Sequence, residues 1–434
     1  MVTEDGGEVL DVFGQNARLS RLYTQSCFCF DLPESPEQTN KQAEVVEFLQ
    51  DGLERLAKVF PWTAGKVINT RGVYEIVPHR GTPELQVVDA RKNLPSFREY
   101  QAAHYPFRFL DETSIASKPT LPGSSDKTAP VLMFKANFVV GGLLLVIDAQ
   151  HNCMDIRGQG EVIRLFAKAC RGAQFSDEEL QGKHFGRLET LPKVISAPNS
   201  VPGSVNEQAV PSIWSYFLIS SEAAKDLKKK ATFDLPAGFV STDDTLTAFI
   251  WQSVSRARMY RLRKGQTTTL ERQVDARACL NIPSSFIGNV VTKTTHRETA
   301  QELIQKPLGV IASELRDALR SRDALASNTM ASATALVESL KTSDSNMSGR
   351  SSLPSTDLKL SSWSKEACCD FNFGGVLGKA DAVRRPAFKA WEGLVYLMPK
   401  DSDGSIAVAL CLRGEDFERL RNDSVFSEYF TYVG

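Results

Sequence analysis

Two apolar runs on either side of a glycine pair constrain this chain most. Val131-Leu132-Met133-Phe134-Lys135-Ala136 and Leu143-Leu144-Leu145-Val146-Ile147-Asp148-Ala149 flank Gly141-Gly142. Runs of this length, broken by glycine, predict a strand, a tight turn and a second strand, with the hairpin deep in a core. The longest apolar stretch, Phe138 to Ile147, is well short of the ~20 residues that cross a bilayer, and it contains the glycine pair. The second strand runs almost directly into His151-Asn152-Cys153-Met154-Asp155. A histidine at the mouth of a buried strand can project into a cleft.

The rest of the chain alternates helical and strand patterns. Asn40 to Ala57 places Val45, Val46, Phe48, Leu49, Leu53 and Leu56 at helical spacing, and Phe60-Pro61-Trp62 ends the pattern. Gly160 to Ala173 predicts a helix. Ile213 to Ile219 predicts a strand and Ser221 to Ala231 a capped helix. Ser241-Thr242-Asp243-Asp244 precedes a helix over Thr245 to Arg261, and Pro307 to Leu319 predicts another. Leu394 to Met398 and Ile406 to Leu412, joined through Asp401-Ser402-Asp403-Gly404-Ser405, predict a second hairpin, and Glu415 to Arg421 a closing helix. Lys183 to Pro211 is rich in Pro, Gly, Ser and Asn with weak periodicity, as a linker would be. The Ser-rich run Ser343 to Ser355 predicts an exposed loop. At roughly 100–200 residues per domain, a chain of 434 residues divides into two or three domains. The mixed pattern places one α/β unit over 1–190, a linker over 191–211 and a second unit over 212–434.

Charge and cysteine usage narrow the function classes. The formal net charge of -1 argues against a nucleic-acid binder held by bulk positive charge. An anionic ligand would be met by a few placed Lys or Arg residues. The eight cysteines are scattered and form no C-x-x-C pair, which disfavours a structural metal site. They read as buried free thiols in a reducing compartment. The acidic N-terminus carries no basic region followed by an apolar run, and a soluble cytoplasmic protein is the expectation.

A lone histidine after an apolar strand is more often a hydrogen-bonded core residue than a catalyst. Three features favour catalysis for His151: its place at a strand end, Asp155 four residues on, and Gly158, which would let the backbone approach a substrate closely. A neutral imidazole, with an ordinary pKa of about 6.5, suits proton removal from an alcohol. No G-x-S-x-G elbow occurs, so an acyl-serine route has no support. The substrate itself would then be the nucleophile.

At these residues the chain resembles a known family. His-x-x-x-Asp after a strand resembles the signature of the BAHD acyltransferases, most closely the fungal branch of the trichothecene 3-O-acetyltransferases. Further blocks follow in the family's order. Pro61 to Lys66 resembles P-x-x-A-G-[RK], and Ser241 to Asp244 resembles the S-T-x-D helix start. Asp275-Ala276-Arg277, then Pro283 and Gly288-Asn289, resembles the D-x-R…P…G-N block. Ser361-Ser362-Trp363 resembles S-S-W, and Asp370 to Gly374 resembles D-F-G-W-G, followed by Gly378-Lys379.

The resemblance implies an α/β fold of two similar domains of the CoA-dependent acyltransferase type, with an active-site channel between them. His151 would be the general base at its centre. Acetyl-CoA or another acyl-CoA would be a co-substrate rather than a resident cofactor, and a small alcohol the acceptor. A monomer is the family's habit, and the charge and the short apolar run leave no nucleic-acid or membrane partner expected. The resemblance pairs Asp155 with Arg277 as a structural brace rather than a catalytic acid. It places Trp363 by the acceptor pocket, where the indole N–H is a candidate oxyanion donor and a packed aromatic is the plainer reading. Ser253, Arg256, Asn289 and Ser362 become candidate cofactor-binding positions, with Arg256 equally an ordinary helix-face charge. Arg384-Arg385 follows the family's structural loop and is not assigned to phosphate.

Departures from the pattern fall mainly in that loop. Asn372 and Phe373 replace the family's Gly and Trp, and Ala380 its Pro; Ile156 stands where Gly usually follows the Asp. Asn tolerates a left-handed backbone, so the turn is expected to survive. Two other readings stay open: a condensation-type or N-acylating enzyme on the same fold, and a silent relative that binds CoA or a metabolite. Gln150, where a second His would stand before His151, disfavours the condensation type.

Overall fold

The computed structural model describes residues 7–32, 38–77, 79, 81–122, 129–181, 210–235, 238–342, 355–375 and 377–434. The hairpin read from the sequence lies at the centre of its first sheet. Leu132–Val139 runs antiparallel to Gly142–Gln150, with Val139 opposite Gly142, and Gly141 makes the turn at φ +75°. All of Gly142–Gln150 is buried, because both faces of the sheet are covered. Alternate residues enter two different cores, as the two-residue period of a strand requires. Leu143, Leu145 and Ile147 pack with Leu49, Leu53, Val162 and Phe166 of the helices Gln38–Val59 and Ile156–Cys170. Leu144 and Val146 face Phe97, Tyr100 and Tyr105 on the other side. Each such side chain contributes about 1.5–3 kcal/mol by leaving water, so a one-residue slip of register would exchange both cores at once.

The five strands of this sheet run in the order Ala382–Arg384, Tyr23–Asp31, Gly142–Gln150, Leu132–Val139, Glu84–Asp89. A second sheet has seven: Val291–Thr299, Thr267–Asp275, Leu358–Ser362, Leu394–Lys400, Ile406–Arg413, Ser212–Ile219 and Thr431–Tyr432. One face of it is covered by Thr242–Arg258, Ser221–Phe233 and Leu308–Arg320, through Leu227, Ile250, Val254 and Ile311. The other face, with Tyr216, Ala407 and Ala409, receives Phe107 from the first half of the chain. The Phe107 and Tyr216 rings stack with centroids 3.8 Å apart. A small third sheet joins Glu8–Val9, Val73–Val77 and Lys66–Thr70.

Several expectations need adjustment. The helix expected to start at Gly160 starts at Ile156, because the Asp155 carboxylate caps it by accepting from the Gly158 N–H. The helix expected from Thr245 starts at Thr242, where Ser241 and Asp244 form a capping box, and ends at Arg258. Beyond Leu308–Arg320 the chain begins a separate helix, Arg322–Thr342. Most of the expected linker (182–209) and of the Ser-rich loop (343–354) lies outside the described residues. The division into 1–190 and 212–434 is not respected by packing. Cys368, Phe373, Leu377 and Val383 belong to the first core, and Ala382–Arg384 pairs with Tyr23–Asp31. Phe373 explains the crossing: its ring meets Phe28, Phe30 and Phe166 edge-on at 5.9, 5.2 and 5.8 Å.

Candidate active site

His151 stands where the central strand of the first sheet ends. Its backbone is pinned before the side chain is considered. The His151 N–H donates to the Leu22 carbonyl (2.9 Å), and the Cys153 N–H donates to Gln150 (3.0 Å). From the second half of the chain, the Asn289 amide donates to the carbonyls of His151 (2.8 Å) and Asn152 (3.0 Å). The half-buried ring makes one hydrogen bond, between Nδ1 and the Met154 carbonyl at 3.2 Å. A carbonyl only accepts, so Nδ1 carries the proton and the lone pair is on Nε2. Burial lowers the ring's pKa below the ordinary 6.5; the Met154 carbonyl opposes this, the Arg385 cation adds to it and Asp155 opposes it. The ring is therefore neutral at physiological pH, the form a general base requires.

Asp155 does not touch the ring; the ring's bond goes to Met154. Its carboxylate has four acceptor positions and all four are filled. Oδ1 accepts from the Gly158 N–H (2.8 Å) and Arg277 (2.9 Å), and Oδ2 from Arg277 (2.9 Å) and the Val290 N–H (2.9 Å). Arg277 in turn uses all five of its N–H groups. Besides the two on Asp155, it donates to Asp275 (2.9 Å) and to the carbonyls of Phe286 (3.0 Å) and Gly288 (2.7 Å). Both side chains are about 2% exposed. A buried pair repays its desolvation only when every remaining site is satisfied, and here it is. The pair fastens the His151 loop to the loop Phe286–Val290.

Gly158 has a role that differs from the expected one. A Cβ there would lie 1.7 Å from the Ile287 carbonyl oxygen, so the close approach is to the second half of the chain and not to a substrate. Asp11 closes the same junction from the N-terminal segment. It accepts from the N–H groups of Phe13 (3.0 Å) and Gly14 (3.2 Å) and lies against Gly288. Burial pushes its carboxyl up to about 7, partly countered by those two N–H groups. Nothing in the sequence pattern marks Asp11.

The remaining candidates sort themselves by position. Asn289, expected at the cofactor, is spent on the His151 and Asn152 carbonyls. Trp363, expected as an oxyanion donor, gives its indole N–H to Ser361 Oγ at 3.1 Å and is buried. Ser362 donates to Asp243, which also holds Arg272 and Ser364. Ser253 and Arg256 sit toward the far end of Thr242–Arg258, about 15–20 Å along the helix from Asp243. Ser253 is fully buried under Arg256, and Arg256 is bound to Asp423 at 2.5 Å. Arg256 lines a groove of about 750 Å³ with Tyr260, Arg419 and Glu418, none of which belongs to the His151 loop. Among the described residues no group of His, Cys, Asp and Glu is arranged to hold a metal, and the cysteines are free. No helix among them is long and apolar enough to cross a membrane.

Comparison with known proteins places this geometry. Residues 22–170 match the family described as the trichothecene 3-O-acetyltransferase-like N-terminal domain. The O-acetyltransferase dmxR13 of Cryptosporiopsis sp. is 40% identical, over 98% of this chain and 97% of that protein. Trichothecene 3-O-acetyltransferase TRI101 of Fusarium sporotrichioides is 36% identical, over 98% of this chain and 97% of its own length. The chain belongs to the trichothecene 3-O-acetyltransferase family. As a member it is an O-acyltransferase, and its fold agrees. The crystal structure of the F. sporotrichioides TRI101 complex with coenzyme A and T-2 superposes with a TM-score of 0.88, covering 99% of this chain and all of that one. Vinorine synthase, at 17% identity and a TM-score of 0.65, shares the fold.

Within this family the loop that departs from the common pattern keeps its turn by other means. Asn372 does not adopt a left-handed backbone. Its side chain instead accepts from the Gly374 N–H at 2.8 Å, and Gly374 and Gly375 take the positive φ, +73° and +52°. Phe373, in place of Trp, is fully buried in the first core. One residue near the histidine was not assigned to the site from the sequence. Arg385 follows this loop and its charge acts on His151. Its signal in the sequence is only the pair Arg384-Arg385, whose two members do different things.

Proposed function

We propose that this enzyme transfers an acetyl group from acetyl-CoA to a hydroxyl of a small, multi-ring fungal metabolite of the trichothecene kind, without an acyl-enzyme. The observation that carries the reading is the tautomer of His151. With Nδ1–H fixed on Met154, the Nε2 lone pair has no hydrogen-bond partner among the described residues. Nε2 takes the proton of the acceptor hydroxyl as its oxygen attacks the thioester carbonyl. The tetrahedral intermediate then collapses, the carbon–sulfur bond breaks, and the leaving thiolate receives that proton from His151. Asp155 holds the loop and transfers no proton. Two relatives support the substrate class: TRI101 of F. sporotrichioides, solved with coenzyme A and T-2, and TRI101 of F. graminearum, solved with coenzyme A and deoxynivalenol. Incubation with acetyl-CoA and a panel of alcohols that includes a trichothecene, followed by mass spectrometry and thiol release, tests this. An acetylated alcohol with stoichiometric CoA is expected; tight CoA binding with no release for any acceptor would overturn it.

A further inference from the structure

Five arginines are buried among the described residues: Arg258, Arg272, Arg277, Arg384 and Arg385. The first four each hold a carboxylate. Arg258 is on Asp416 and Glu392, Arg272 on Asp244, Arg277 on Asp155, and Arg384 on Asp401 through two bonds of 2.7 Å. Arg385 holds none. Its Nε is sealed from solvent and has no acceptor. Instead the guanidinium lies among three rings, 4.4 Å from the centroid of Phe388, 4.8 Å from Tyr396 and 5.5 Å from Trp363. Ring faces soften the loss of water around a cation but do not neutralise it. A buried charge without a counter-ion is costly, and it persists where the fold holds it for a charge that arrives later.

The place of this cation is well defined. Both the N–H and the carbonyl of Arg385 bond the Tyr216 hydroxyl at 3.0 Å, so its backbone cannot drift. Ile156, the residue after Asp155, packs against the same cluster as Trp363 and Tyr396, which brings the aromatic cage against the His151 loop. The field of Arg385 reaches the His151 ring.

We propose that Arg385 is the anion-holding residue of the transfer site, carrying the negative oxygen that forms when the acceptor attacks the acyl carbonyl. The inference rests on the acyltransferase reading above. A thioester carbonyl is neutral, and its oxygen becomes negative only as the carbon turns tetrahedral. A fixed cation therefore stabilises the transition state more than the bound substrate, which raises kcat rather than tightening binding. No bond to Arg385 forms or breaks.

The test is steady-state kinetics of Arg385→Gln and Arg385→Met with an alcohol that the wild type acetylates. Met suits an aromatic cage and guards against misfolding, which a melting curve checks. Both variants are expected to lose about 100-fold or more in kcat, with KM for acetyl-CoA little changed. Arg385→Lys, which keeps the charge, is expected to recover much of the loss. The acid limb of the rate profile belongs to His151, faced by Arg385 and by Asp155 with its Arg277, and it should move to higher pH in the neutral variants. A folded Arg385→Met with wild-type kcat and an unmoved limb would overturn the proposal. So would a defect confined to the acceptor's KM, which would make Arg385 an acceptor-binding residue. A wild type that releases no CoA with any alcohol would overturn the acyltransferase reading and this inference together.

Discussion

The Cα of Gly158 lies so close beneath the carbonyl of Ile287 that a methyl group on it would sit 1.7 Å from the oxygen. This contact joins the first turn of the helix after His151 to the second half of the chain. Gly158→Ala cannot be absorbed by a rotamer change, because the obstacle is backbone. Overpacking of this kind costs about 1–3 kcal/mol or more. The variant should melt several degrees lower and lose kcat as the histidine loop shifts, as calorimetry and a thiol-release assay would show.

Removing the fork of Arg277 should be worse than removing its charge suggests. Arg277→Lys keeps a cation but has three donors for five occupied positions. Breaking a buried pair costs about 3–5 kcal/mol. Lys should therefore approach Arg277→Met in lost stability under urea denaturation. A Lys variant with wild-type stability would contradict the five-bond account.

His151→Ala should abolish turnover and leave the melting temperature nearly unchanged, because the ring makes one hydrogen bond and is half-buried. General-base removal costs about 100- to 10,000-fold. In the wild type, activity needs the neutral ring, whose pKa is held below 6.5 chiefly by burial. Activity should therefore be flat at neutral pH and fall only as acid reaches that lowered value. The same shift acts on stability. Below about pH 6.5 the unfolded histidine binds a proton that the folded one refuses, so acid progressively favours unfolding.

Asp11 gives the opposite sign. Its folded pKa is about 7, against an ordinary 3.8, with burial the main cause. Between those values the folded carboxyl keeps a proton that the unfolded one has lost, so this residue's contribution falls as pH rises from about 4 to about 7 and then levels. Asp11→Asn keeps an oxygen to accept from Phe13 and Gly14 and carries no charge. It should be more stable than the wild type at pH 8, by up to about 4 kcal/mol, and little different at pH 4. Equal stability at both pH values would show that the carboxyl is not perturbed.

What the sequence reveals of this architecture depends on how local each signal is. The hairpin at Gly141-Gly142 is plain because a strand buried on both faces writes an unbroken apolar run. Tyr23 to Phe30 is just as buried, yet Thr24, Gln25 and Ser26 interrupt its pattern, so it goes unseen. Val291–Thr299 is an edge strand dominated by threonine and charge, with no apolar face to betray it. The partnership of Asp155 with Arg277 is visible only through the order of family blocks, since nothing local links residues so far apart. The cage around Arg385 is less legible still: nothing in the sequence links Trp363, Phe388 and Tyr396 to one another or to Arg385 until the fold gathers them. Asn289, Ser362 and Ser253 show how much of a polar residue's role the fold decides. Polar residues in family blocks suggest ligand contacts, and here they are occupied with carbonyls, carboxylates and burial.

The short strand Ala382–Arg384, laid beside Cys27–Cys29, has a consequence for how the molecule is made. As the chain emerges from a ribosome, Tyr23–Asp31 comes long before Ala382–Arg384, and one edge of it stays open until the segment around Val383 follows. Phe28 and Phe30 wait equally long for the ring of Phe373. The first sheet cannot be finished early and set aside; it closes only after Ser212–Ile219, Thr267–Asp275, Val291–Thr299 and Leu358–Ser362 of the second sheet have been synthesised. Until then an unpaired, apolar strand edge is exposed to other nascent chains, and the moment of closure also brings Arg385 to its place.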